Sequence, residues 1–122
     1  MKIISKSVLI LILTVTFTLL FYQVGLSQDT VEEKMANIDG NYPNKTKVAR
    51  YRYLLNTLEK KTGDSKERIG DMTVKSQEIL KKEYGREVTL LDLLEGVNKS
   101  ISSTSKVPYA NVIAVYIMLI GR

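Results

Sequence analysis

The chain predicts an all-α fold, and three observations carry that expectation. Apolar residues recur at helical spacing in three separate segments between residues 46 and 101. Those segments are punctuated by residues of suitable chemistry, with Asn44, Thr46, Asp64 and Thr89 as starts and Gly63 and Gly85 as stops. The last stretch, residues 107–120, is apolar or small on every face when wound as a helix, Asn111 being the main exception. Such a helix has to be enclosed by protein or lipid. At roughly 21 Å it is shorter than the roughly 30 Å of hydrocarbon in a bilayer. The expectation is therefore a small helical domain, residues 44–122, with about four helices around an apolar C-terminal helix.

Residues 1–27 have the parts of a secretory signal: the basic residues Lys2 and Lys6, an apolar run over 8–22, and small residues Gly25 and Ser27 before a polar start. Cleavage there leaves Gln28 as the mature N-terminus. The alternative is an uncleaved anchor through residues 8–26, because no charge falls between Lys6 and Asp29 and that interval is long enough to span a bilayer. Residues 28–43 are polar, with Asp39-Gly40-Asn41 and Tyr42-Pro43 as turn signals. They predict a linker with at most a short helical turn over 31–36. Asn37, Asp39 and Asn41 share the spacing that opens a calcium loop, but Val48 stands where a bidentate glutamate is needed. Turn chemistry accounts for them.

The first helix is expected from Asn44 or Thr46 to about Thr62. Val48, Tyr51, Leu54, Leu55 and Leu58 form a core-facing stripe, with Lys45, Arg50, Arg52, Tyr53 and Lys60 off it. Asp64 followed by Glu67 resembles a capping box for a second helix reaching Tyr84, whose buried face is Ile69, Met72, Ser76, Ile79 and Leu80. Gly70 within it, at a cost of about 1 kcal/mol relative to alanine, either marks a close helix contact or is simply tolerated. Thr89 caps a third helix with a leucine-rich face of Leu90, Leu93, Leu94, Val97 and Ile101, and Gly96 and Ser100 at its edge allow close approach. Acid-before-base pairs four residues apart, Asp71 with Lys75, Glu78 with Lys82 and Glu95 with Lys99, mark solvated sides. Ser105 and Pro108 mark the start of the final helix.

Composition excludes more than it assigns. Cysteine, histidine and tryptophan are absent, which removes disulfides, thiolate metal sites, the usual zinc ligands and the Ser-His and Cys-His nucleophile systems. The carboxylates that remain are explained by helix starts, surface pairs and the turn at Gly85, and no glycine-rich phosphate loop or Ser-x-x-Lys motif occurs. No enzymatic activity, cofactor or metal is expected. The net charge of +5 falls to +3 without Lys2 and Lys6, a mild excess that does not identify nucleic acid as a partner. Asn44-Lys45-Thr46 and Asn98-Lys99-Ser100 match the N-glycosylation pattern, but helix positions explain both asparagines.

The functional expectation is an exported, periplasmic or secreted, non-enzymatic binding or structural module whose partner is another protein or a second copy of itself. Its candidate partner surface is Lys45, Arg50, Arg52, Tyr53 and Lys60, where a tyrosine among arginines offers a stacking platform. One alternative is a carrier of a small apolar ligand lined by Met72, Tyr109, Tyr116 and Met118. The other is a small membrane-anchored protein, attached through residues 8–26 or with the C-terminal helix also embedded.

Overall fold

In the computed structural model the described residues are 30–103 and 106–122, so the signal or anchor segment lies outside them. They form five helices and no strand: α1 Val31–Ile38, α2 Lys45–Thr62, α3 Lys66–Tyr84, α4 Leu90–Ser100 and α5 Tyr109–Gly121. Local chemistry sets most of their ends. The side chains of Asn44, Ser65 and Thr89 accept the third backbone N–H of α2, α3 and α4, from Lys47, Arg68 and Asp92. Gly63 and Gly85, at φ 82° and 64°, end α2 and α3 in the left-handed conformation that costs other residues a Cβ clash.

The core is drawn from all five helices. Val48, Tyr51, Leu54, Leu55 and Leu58 of α2 are buried along one stripe, and Leu90, Leu93, Leu94 and Val97 of α4 are fully enclosed. At about 1.5–3 kcal/mol for each large side chain removed from water, these two faces supply much of the driving force for folding. α3 contributes Ile69, Thr73, Ser76 and Leu80, while Ile79, expected on the buried face, is 38% exposed.

Two expectations are corrected. Residues 28–43 are not merely a linker: α1 is a two-turn helix that buries Met35 and Ala36 in the core and packs on α2, α3 and α4. Its polar composition hid this, because only two core side chains are needed to seat so short a helix. The chain turns from α1 into α2 through Gly40, at φ 77°, and a cis Tyr42–Pro43 bond.

The C-terminal helix is not the buried centre either. α3 and α4 lie at the centre, whereas α5 packs chiefly on those two. α5 buries Tyr109, Ile113, Ile117 and Gly121 and leaves Val115, Met118 and Leu119 more than half exposed. Apolar character allowed enclosure from every side, but the remaining helices cover only one. Among the described residues no helix is long and apolar enough to cross a membrane.

Candidate functional site

Lys45, Arg50, Arg52, Tyr53 and Lys60 are all exposed on α2, and the two arginines are paired within the chain. Arg50 Nε donates to Glu95 Oε1 of α4 at 3.0 Å, and its guanidinium lies 5.4 Å from the centre of the Tyr53 ring. Glu95, which the sequence pairs with Lys99, is thus held by another helix. Arg52 Nε reaches Glu32 Oε1 of α1 at 3.5 Å. Lys45 is exposed beside the start of α2, and with Arg52 and Tyr42 it lines an open cleft of about 420 Å³. Lys60 is also exposed, and its carbonyl accepts a bond from Lys106 Nζ at 3.1 Å. An exposed pair such as Arg50–Glu95 is worth about 0–1 kcal/mol, whereas Arg52 reaches a buried Glu32. These pairs position the α2 surface without making it reactive.

Two carboxylates hold helix starts that lie far away in sequence. Asp39 Oδ1 accepts Leu90 N–H at 2.9 Å and Oδ2 accepts Leu91 N–H at 3.0 Å, capping α4 from the turn after α1. The Tyr51 hydroxyl donates to the same Oδ2, while Asn41 Nδ2 donates to the Tyr51 oxygen at 3.0 Å. Burial first, and then the bond to Asp39, raise the Tyr51 phenol far above its ordinary value, with Asn41 opposing the shift. Asp64 Oδ2 likewise accepts Tyr109 N–H at 2.8 Å and so caps α5. The local cap of α3 is Ser65, so Asp64 does not play the capping-box part read from its spacing.

Sequence reasoning missed these long-range caps because an acid before a helix looks the same whichever helix it serves. The arrangement also limits chemistry. Asp39 lines an open cleft of about 550 Å³ with Gln77, Glu78, Arg86 and Asp92, but both its oxygens are committed to helix N–H groups and one also to Tyr51. Among the described residues no group of three acids is placed to hold a metal ion. Of the sequon asparagines, Asn44 Oδ1 caps α2, whereas Asn98 Oδ1 is buried in α4 without a hydrogen-bond partner.

The residues named for an apolar carrier are differently placed. Tyr109 is fully buried, its hydroxyl 2.7 Å from that of Thr73. Burial raises its phenol strongly, against the lowering effect of the Thr73 bond. Tyr116 lies across Gly96, where an added Cβ would overlap the phenol. Met72 is partly buried against the core, and Met118 points outward, 53% exposed. None of the four lines either of the two clefts described above.

The surface that sequence reasoning did not single out is the outer side of α5. Asn111, Ala114, Val115, Met118 and Leu119 are all exposed there and carry no charge. At 100° per residue they occupy an arc of roughly 140°. On the inner side, Gly121 admits the Tyr84 ring, whose nearest atom would lie 2.7 Å from an added Cβ, and Gly96 admits Tyr116. These two small residues draw α5 onto α3 and α4, fixing which face remains outside. No protein-family model, curated protein or solved structure matches this chain.

Proposed function

We propose that this protein is an exported, non-enzymatic binding or structural module that docks through the outer face of α5. One observation carries the reading: Val115, Met118 and Leu119 are more than half exposed on a helix with no charged residue between Tyr109 and Gly121. A helix apolar all round needs cover on all sides, and its own chain supplies cover on one. Contiguous exposed apolar surface of this kind marks interaction sites on soluble domains. Export rests on the signal pattern in residues 1–27. The α2 surface of Lys45, Arg50, Arg52, Tyr53 and Lys60 takes second place, because its two arginines already pair with Glu95 and Glu32.

The test is the size and location of the native species recovered from cells producing the full chain. Wild type is compared with Met118→Lys/Leu119→Lys and Arg50→Glu/Arg52→Glu, each checked for folding by circular dichroism. The α5 variant is expected to lose the associations of the wild type while keeping its fold. Unchanged associations in that variant, with their loss in the arginine variant, would move the site to α2.

A further inference from the structure

We infer that the outer face of α5 seats on an anionic lipid surface, with the helix lying in the membrane plane. The inference rests on the docking reading above and names what is docked.

The shape of the face comes first. α5 has 13 residues and so is roughly 20 Å long. Its exposed arc presents Val115, Met118 and Leu119 around Ala114, with Asn111 nearer the start. A strip roughly 20 Å by 10 Å is well below the roughly 800 Å² per partner of a standard protein interface. It is sufficient for a helix that sinks its apolar side to the boundary between headgroups and acyl chains.

Charge then decides the occupant. Between Gly96 and Arg122 there is no Asp or Glu side chain, and the charged side chains are Lys99, Lys106 and Arg122. Lys106 precedes α5 and reaches back to the Lys60 carbonyl, which brings two basic residues to that end. At the other end Arg86 Nη2 donates to the Arg122 carbonyl at 2.8 Å, again bringing two together. Asp64, the acid at the start of α5, is engaged by Tyr109 N–H and Arg68. The result is an uncharged strip with cations at both ends.

A second copy fits this pattern poorly. Whether two α5 helices pair parallel or antiparallel, basic ends meet basic ends. An anionic headgroup layer complements both ends at once while the acyl region takes the apolar strip. Residues 7–28 contain no charge, and the signal or anchor proposed there is consistent with an encounter between this domain and a membrane.

The absence of cysteine makes a site-specific experiment clean. Full-length Leu119→Cys and Tyr53→Cys proteins are labelled with an environment-sensitive fluorophore. They are mixed with vesicles of phosphatidylcholine alone or with 30% phosphatidylglycerol. The label at 119 should shift to the blue, gain intensity several-fold and be quenched by brominated acyl chains in the anionic vesicles, while the label at 53 stays aqueous. Lys106→Gln/Arg122→Gln should weaken the response roughly 30-fold, from about a factor of five for each basic residue at such a surface.

A label at 119 that stays aqueous with anionic vesicles overturns the lipid assignment. So does one that becomes buried on raising protein concentration without lipid, which would make the occupant a second copy. Equal responses at 119 and 53 overturn it too, since an anchor at residues 8–26 would then explain binding. The docking reading itself falls only if Met118→Lys/Leu119→Lys also behaves as wild type in cells.

Discussion

Among the described residues α4 and α5 are the two most apolar helices, and the structure treats them differently. α4 has a leucine face and a polar back, and its Leu90, Leu93, Leu94 and Val97 are completely enclosed by α1, α2, α3 and α5. α5 is the more apolar by composition, yet its Val115, Met118 and Leu119 remain more than half exposed. Burial thus follows the number of neighbours a helix has. The amphipathic α4 touches four neighbours, which cover its leucine face completely and leave Asp92, Lys99 and Ser100 of its polar back exposed.

The comparison is tested most severely by truncating one leucine on each helix. Leu94→Ala should cost about 3 kcal/mol, through lost burial and a cavity that its neighbours fill only in part. Leu119→Ala should stay within about 0.5 kcal/mol, as expected of an exposed position. Urea unfolding of both variants measures the difference. Similar losses would show that the outer face of α5 is covered in the isolated protein.

The next largest effects concern the devices that attach each helix. Asp39→Ala removes two N–H partners from α4 and one from Tyr51, and should lower stability by about 2 kcal/mol. Asp64→Ala removes the single long-range cap of α5 and should cost about 1 kcal/mol. If the two melts shift equally, α4 does not depend on Asp39 in the way the hydrogen bonds imply. Gly96→Ala should be worse than Gly121→Ala. Its Cβ would overlap the Tyr116 hydroxyl oxygen, more deeply than the 2.7 Å approach to Tyr84 Cγ at Gly121, where the Tyr84 ring is 39% exposed. In a double-mutant cycle, Tyr116→Ala should rescue part of the Gly96→Ala loss.

The smallest effect is a slope in alkaline pH. Tyr51 and Tyr109 have folded values raised above the ordinary value of 10.0, mainly by burial. Above pH 10 the unfolded chain therefore releases protons that the folded chain keeps, and stability falls as pH rises. The contribution is complete below about pH 10 and is lost progressively above it. Tyr109→Phe should flatten this part of the stability curve, measured by urea unfolding at a series of alkaline pH values. A curve unaltered by Tyr109→Phe would assign the alkaline loss to other groups.

How legible these features were depended on their range along the chain. The buried stripe of α2, the leucine face of α4 and the stops at Gly63 and Gly85 could be read directly, because periodicity and capping act within a few residues. The α2 surface was legible as residues but not as a network, since Glu95 and Glu32, which hold its arginines, are 45 and 20 positions away. α1 was hidden by its polar composition. Gly70 and Gly96 hinted at close contacts without naming Val31 and Tyr116, the side chains that occupy them.

By itself the sequence determined that this protein is all-α, where its longer helices begin and end, and that its chemistry excludes thiol, imidazole and zinc-finger solutions. Those properties follow from local backbone preference and from which side chains exist at all. Only the tertiary structure decided that Asp39 and Asp64 cap distant helices, that the leucine face of α4 is fully covered while α5 is covered on one side, and that the exposed side of α5 is the one carrying Val115, Met118 and Leu119. Each depends on which surfaces meet when five helices share one small core, and an apolar residue carries no record of which neighbour will cover it.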